Sequence, residues 1–343
     1  MDLWQYLSVT SKPVFLYGTG NGADKILNEL YRRGISVAGV FASDGFVRNR
    51  TFRGFKVYSF SDVKNTHGDI IVLVCFGTQL PDVMENIKQI AAVCETYAPD
   101  VPVAEDDGVF ESLYVAANRE KIEKAYSLLA DDMSKKVFEN TVMYKLTGKL
   151  DYLFDIETQR DEAYTLLGLS QNETYLDIGA YNGDTVAEFL EKVGQVNKII
   201  AVEPDFKNFR KLQNNTKDIK NIALINAAVT DKSGKIRFAQ KGGRNSVQNA
   251  NGTEINAVSI DDIMCGQAVT FIKMDVEGLE IPAIKGAVST LKQYKPKLNI
   301  AAYHKNADLF EIPLLLNEIN RDYKIYLRHH PYIPAWDTNF YVV

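Results

Sequence analysis

The stretch Thr174-Tyr-Leu-Asp-Ile-Gly-Ala-Tyr-Asn-Gly-Asp-Thr185 decides how this chain folds. Its first five residues, through Ile178, form an apolar run that predicts a strand. Gly179 to Thr185 reads as a turn into a helix carrying Val186, Phe189 and Leu190. A second apolar run, Lys198 to Val202, ends in Glu203-Pro204, 24 residues beyond the first glycine. Strand, glycine turn, helix and a second strand ending in an acid open a nucleotide-binding α/β fold, in which glycine admits the tight turn and the acid reaches ribose hydroxyls.

Asp177 sets this copy of the pattern apart. At the end of the first strand a carboxylate can accept from a cationic amino group, whereas it disfavours a pyrophosphate so close by. A ligand with a ribose and an amino acid, such as S-adenosylmethionine, suits it better than a dinucleotide. Downstream the alternation continues with strands at Ala223 to Asn226 and Val269 to Met274, the latter ending at Asp275. An inserted hairpin or flanking strands are expected at Lys235 to Gln240 and Glu254 to Ile260, joined by the polar loop Gly242 to Ser246. A helix over Ile281 to Leu291, a strand over Lys297 to Tyr303 and a helix over Asp308 to Ile319 follow. Two closing strands, Lys324 to Arg328 and Asn339 to Val343, predict an antiparallel edge hairpin.

Upstream the same logic appears a second time. Pro13 to Tyr17 leads into Gly18-Thr19-Gly20-Asn21-Gly22-Ala23 and a helical pattern through Ile26, Leu27 and Leu30. Gly18 permits the turn, Gly20 lets a phosphate approach the backbone, and Ala23 is expected to let helix and strand pack closely. Asp44 stands after the next strand, where a ribose-binding acid belongs, and Asp69 to Phe76 supplies a third strand. The fold class is therefore α/β with two Rossmann-like domains. Residues 1–108 form the first, residues 109–170 a helical bridge with an apolar stripe through Leu113, Ala117, Ile122, Ala125 and Leu129, and residues 171–343 the second. The first domain resembles the small nucleotide-sugar-binding domains found in front of some sugar-modifying enzymes, which implies a nucleotide or nucleotide-sugar at Gly18, Gly20 and Asp44.

The 343 residues are 46% hydrophobic and 24% charged, the mixture of a folded chain with two cores. A net charge of −5 argues against a nucleic-acid binder, which usually carries a basic face. Cys75, Cys94 and Cys265 match no metal spacing and read as reduced thiols. Met1 to Lys12 lacks the basic start and long apolar run of a signal peptide, and no run approaches the ~18 apolar residues of a membrane span. These features predict a cytoplasmic protein without a membrane span.

The ordered set Asp177 to Thr185, Glu203-Pro204, Asn226 to Val229, Phe271 to Gly278, Lys285-Gly286, Tyr303-His-Lys305 and Asp337-Thr338 resembles the FkbM methyltransferases. Leu129 to Ser134 is similar to the lead-in of longer members. The resemblance implies a class I methyltransferase sheet that takes S-adenosylmethionine, with O-methylation of a hydroxyl on a sugar, a glycan precursor or a related small molecule. It implies that Asp177, Gly179, Tyr181, Gly183, Asp184 and Thr185 line the methionine end of the cofactor, that Glu203 holds the ribose hydroxyls, and that Asn226 and Ala227 lie beside the adenine. Tyr181 departs from the generic turn, where a middle glycine is usual.

A neutral hydroxyl needs a base within hydrogen-bond reach as it attacks the methyl group. Asp275 ends a central strand, His304 ends the next, and Glu277 follows two residues after Asp275 on the same side of an extended chain. His304, with an ordinary pKa near neutrality, is the expected base, and Asp275 orients the acceptor or the imidazole. A divalent cation at Asp275, Glu277 and His304 is the weaker expectation. Two other readings remain open: a nicotinamide-dependent oxidoreductase working from the first domain, and a noncatalytic scaffold of glycan assembly.

Overall fold

The computed structural model describes residues 1–343 apart from 48–49, 103–106, 240–246 and 249–251. The expected loop Gly242 to Ser246 lies outside the described residues. The first sheet contains β1 (Val14–Tyr17), β2 (Gly39–Ala42), β3 (Thr51–Phe52), β4 (Phe55–Ser59), β5 (Ile71–Val74) and β6 (Glu95–Tyr97), in the order β3-β4-β2-β1-β5-β6. All neighbours run parallel except β3 and β4. Strands β1, β2 and β5 are apolar and buried at every position, as a sheet covered on both faces requires. The strand order reverses between β1 and β5, the switch point of a doubly wound sheet.

Gly18 takes φ +118° after β1, and Gly20 caps the helix Asn21–Arg32. Ala23 is fully buried against the strands, and Gly22 adds a close approach of its own: a Cβ there would lie 2.3 Å from the carbonyl oxygen of Cys75. Asp44 has its own partners, since its carboxylate accepts from the Phe60 amide at 3.0 Å and the Ser61 hydroxyl at 2.6 Å, at the start of the helix Phe60–His67.

The second sheet contains β7 (Thr174–Ile178), β8 (Lys198–Val202) and β9 (Ile222–Ile225). A small side sheet follows, made of β10 (Ala228–Val229), β11 (Gly234–Ala239), β12 (Val247–Gln248) and β13 (Thr253–Val258), with β11 and β13 antiparallel. The main sheet resumes with β14 (Phe271–Met274), β15 (Lys297–Ala301), β16 (Ile325–His329) and β17 (Thr338–Val342), giving the order β16-β17-β15-β14-β7-β8-β9. Only β17 runs against its neighbours, so the closing pair is the expected antiparallel hairpin. The helix expected over Ile281 to Leu291 is two, Glu280–Lys285 and Val288–Tyr294, interrupted at Gly286, where a Cβ would meet the Thr230 carbonyl oxygen at 2.2 Å.

Five helices between Ser112 and Leu167 join the sheets. The expected stripe breaks where one helix ends and the next begins at Asn118: Leu113 is 76% exposed, while Ala125 and Leu129 are buried. The long helix Asp132–Thr147 buries Val137, Phe138 and Tyr144 instead. It grips the first sheet through Tyr144, whose hydroxyl donates to the Ala98 carbonyl, and through the Lys145–Asp100 ion pair at 2.7 Å. Arg328 on β16 returns the grip from the second sheet, pairing with Asp131 and Glu162 at 2.6 Å each. One continuous apolar core runs from Phe15 and Val72 through Phe138 and Leu153 to Leu176 and Ile272. Among the described residues no helix is long and apolar enough to cross a membrane.

Candidate active site

The carboxyl ends of β7, β8, β14 and β15 open onto one cavity of about 490 Å³, within the ~300–1,000 Å³ range of small-molecule sites. Gly179, Tyr181, Asp184, Thr185, Glu203 and Ala227 line it on one side, and Asp275, Glu277 and His304 on the other. Of the remaining expected residues, Asp177 is fully buried and bonded to the lining Thr185, and Gly183 caps the helix Asp184–Val193 at φ +89°. Asn226 does not line the cavity. Its side-chain amide donates to the carbonyls of Glu203 and Pro204 at 2.8 and 3.2 Å and so holds the turn that carries Glu203.

On the first side, backbone geometry fixes the carboxylates. Gly179 has φ +81°, and a Cβ there would fall 1.8 Å from the Asp275 carbonyl oxygen, so glycine is what lets the ends of β7 and β14 meet. Tyr181, where a glycine is usual, adopts the left-handed φ +47° all the same, and its amide donates to Glu203 Oε2 at 2.9 Å. The Asp205 amide donates to the other oxygen at 2.9 Å. Burial pushes the Glu203 carboxyl up to about 7 against the pull of these two amides. Asp177 accepts from the Thr185 hydroxyl at 2.5 Å through Oδ2, while its buried Oδ1 has no hydrogen-bond partner. Burial raises its pKa, opposed by Lys273, whose Nζ lies 3.6 Å from Oδ1.

On the second side, His304 is 3% exposed and its Nδ1 lies 2.8 Å from Glu280 Oε1. Its Nε2 lies 3.5 Å from Asp275 Oδ1 and 3.6 Å from Glu277 Oε2. Burial by itself would lower the pKa of the ring, but Glu280, with Glu277 and Asp275, overcomes burial and raises it to about 10. These acids favour the protonated ring, which differs from the neutral base expected of His304. The difference comes from Glu280, a fully buried acid at the head of the helix Glu280–Lys285. Glu277 and the following Gly278 both have positive φ, +53° and +94°, and the amides of Val276 and Gly278 donate to Glu280. The Tyr303 hydroxyl donates to Asp275 at 3.3 Å. Asp275, Glu280 and His304 offer ligand atoms within 4.8 Å of one another. Glu280 also accepts the amides of Val276 and Gly278 and faces the ring.

Sequence reasoning left Lys273, Glu280 and Tyr303 without roles, although all three sit inside or beside the motifs that carried the resemblance. Lys273 stands between the two sides, 3.6 Å from Asp177 and 3.9 Å from Asp275. His330 is buried in the cavity wall with Nε2 2.7 Å from the Tyr341 hydroxyl.

Residues 177–325 match the family described as Methyltransferase FkbM domain. Among solved structures, the FkbM methyltransferase of Methylobacillus flagellatus KT shares 24% identity, with 97% of this chain and 90% of that chain covered at a TM-score of 0.75. Fibrillarin of Aeropyrum pernix, solved with S-adenosyl-L-methionine, shares 15% identity, with 53% of this chain and 73% of that chain covered at a TM-score of 0.34. No curated protein matches the chain. Residues 177–325 thus match the FkbM methyltransferase family model, and the chain shares the fold of the Methylobacillus flagellatus protein along nearly its whole length.

Proposed function

We propose that the protein is an S-adenosylmethionine-dependent O-methyltransferase that modifies a hydroxyl of a sugar, a glycan precursor or a related small molecule. The observation that carries the cofactor is the buried Asp177 Oδ1 without a hydrogen bond, on the strand next to the one that ends in Glu203. An unsatisfied buried acceptor costs about 1–3 kcal/mol, and a cationic amino group relieves that cost. Glu203, with an amide on each oxygen, keeps lone pairs for a vicinal diol. Asp177 and Thr185 would hold the amino-acid end, Glu203 the ribose, and Ala227 the base.

When bound, S-adenosylmethionine supplies a methyl group already activated on a sulfonium. The protein's work is then to position the acceptor and take its proton. The acceptor hydroxyl would pass its proton to a carboxylate as its oxygen takes the methyl group and S-adenosylhomocysteine leaves. Asp275, 35% exposed and held by Tyr303, is that carboxylate, while the imidazolium of His304 fixes Asp275 and Glu277 in place.

The test is calorimetry with S-adenosylhomocysteine and with NAD, followed by incubation with labelled S-adenosylmethionine and fractionated glycan precursors, with mass spectrometry of the labelled product. S-adenosylhomocysteine binds and NAD does not; the reverse result returns the chain to the oxidoreductase reading. Asp275→Asn is expected to lower turnover by roughly 10²-fold or more with cofactor affinity within about twofold.

A further inference from the structure

The same cavity extends beyond the strand ends to a wall that the second sheet does not build alone. Gln79, from the loop after β5 of the first sheet, and Arg160, from the joining helices, line it together with Tyr332, Trp336 and Asp337 from the loop between β16 and β17. That loop is fastened to the first sheet. The Thr78 amide donates to the Ile333 carbonyl at 2.7 Å, and the Ile333 amide returns a bond to Thr78 at 2.9 Å. A Cβ on Gly77 would stand 2.4 Å from the ring of Trp336, so glycine is what lets the indole lie against this backbone. Arg160 reaches Asp337 Oδ2 at 2.5 Å and Gln79 Oε1 at 3.4 Å through one nitrogen, and lies 3.8 Å from Glu188 through the other.

These groups specify a chemistry. One guanidinium charge faces two carboxylates, so the wall has no positive charge left over for an anionic ligand. What it presents is a fixed fan of amide, guanidinium and carboxylate groups beside two aromatic rings, Tyr332 and Trp336, whose centroids are 5.8 Å apart and whose planes are tilted by 40°. Hydroxyl groups satisfy such a fan, and the apolar C–H face of a saturated ring covers an aromatic side chain without losing hydrogen bonds.

We propose that Gln79 and Arg160, with Trp336 as platform, form the acceptor-selecting end of the site, and that the N-terminal half thereby chooses a neutral, polyhydroxylated ring as acceptor. The proposal rests on reading the cavity as the site of methyl transfer. Gln79 is exposed, so Gln79→Ala keeps the fold, and Gly77→Ala displaces Trp336 independently. Saturation-transfer NMR on the full chain, with methyl glucosides, galactosides and mannosides and with glucuronate, reads acceptor binding, while calorimetry with S-adenosylhomocysteine reads the cofactor. At least one neutral glycoside binds saturably, both variants weaken it about fivefold or more, glucuronate binds no tighter, and S-adenosylhomocysteine affinity stays within about twofold. Tighter binding of glucuronate, no neutral glycoside bound, or undiminished glycoside binding by both variants overturns the inference. Failure of S-adenosylhomocysteine to bind the unaltered protein strikes the methyl-transfer reading instead, and the glycoside arm still decides this one.

Discussion

Glu203 is the residue proposed to hold the cofactor's ribose. Two backbone amides hold its carboxyl in place, so its replacement removes an ordered acceptor and leaves those amides unpaired. Glu203→Ala is expected to weaken S-adenosylhomocysteine by about 1–3 kcal/mol in calorimetry, and unchanged affinity would remove it from the site. His304 makes a second prediction. Its pKa rises from 6.5 to about 10 on folding, so its contribution to stability is complete below about pH 6.5 and is lost as the pH climbs through about 10. A tenfold change in proton affinity corresponds to about 1.4 kcal/mol, so this contribution amounts to a few kcal/mol at most. The melting temperature should fall between pH 8 and 10, and His304→Gln, which keeps a donor for Glu280, should flatten that fall; parallel profiles would show that the ring does not titrate there. The sequence offered Asp275, Glu277 and His304 from their places at strand ends. It did not offer Glu280, because an acid at the start of a helix is ordinarily a solvent-facing cap, and only the turn at Glu277 and Gly278 folds this one under the imidazole.

At the scale of elements, the decisive contact is the meeting of β7 with β14. Gly179→Ala would have to displace the Asp275 carbonyl from 1.8 Å and bear φ +81°, which costs roughly 3 kcal/mol or more. At about 2–4 °C per kcal/mol for a domain of this size, the melting temperature should drop by roughly 5–10 °C; a shift under a degree would mean that the strand ends yield to the added methyl group. The strands themselves were legible because parallel strands buried on both faces read as short apolar runs: β7, β8 and β14 lie where those runs do. The joining helices were less so. Leu113 continues the apolar period on paper, but Asn118 ends one helix and starts another, and a period does not carry across that break. Nor does a local pattern contain Arg328, whose partners Asp131 and Glu162 come from about 170 to 200 residues away.

At the scale of the whole molecule, two Rossmann-like sheets share one core, yet every residue assigned to the methyl donor follows position 170. A substitution that fills the first glycine turn tests whether the sites are separate. Gly20→Asp has open space for its side chain, and it places a carboxylate at the start of the helix Asn21–Arg32. It should abolish binding of any anionic nucleotide there while S-adenosylhomocysteine affinity stays within about twofold; loss of both would show one shared site. The fastening of Thr78 to Ile333 and of Gly77 against Trp336 has a consequence for descent. A wall built by two sheets cannot drift on one side alone. A larger residue at 77 must be met by a smaller one at 336, and a new acceptor needs matched changes more than 250 positions apart in the chain. Relatives that diverge in what they methylate should therefore change the loop after β5 and the loop after β16 together, and an exchange of either half between them should keep the cofactor and lose the acceptor.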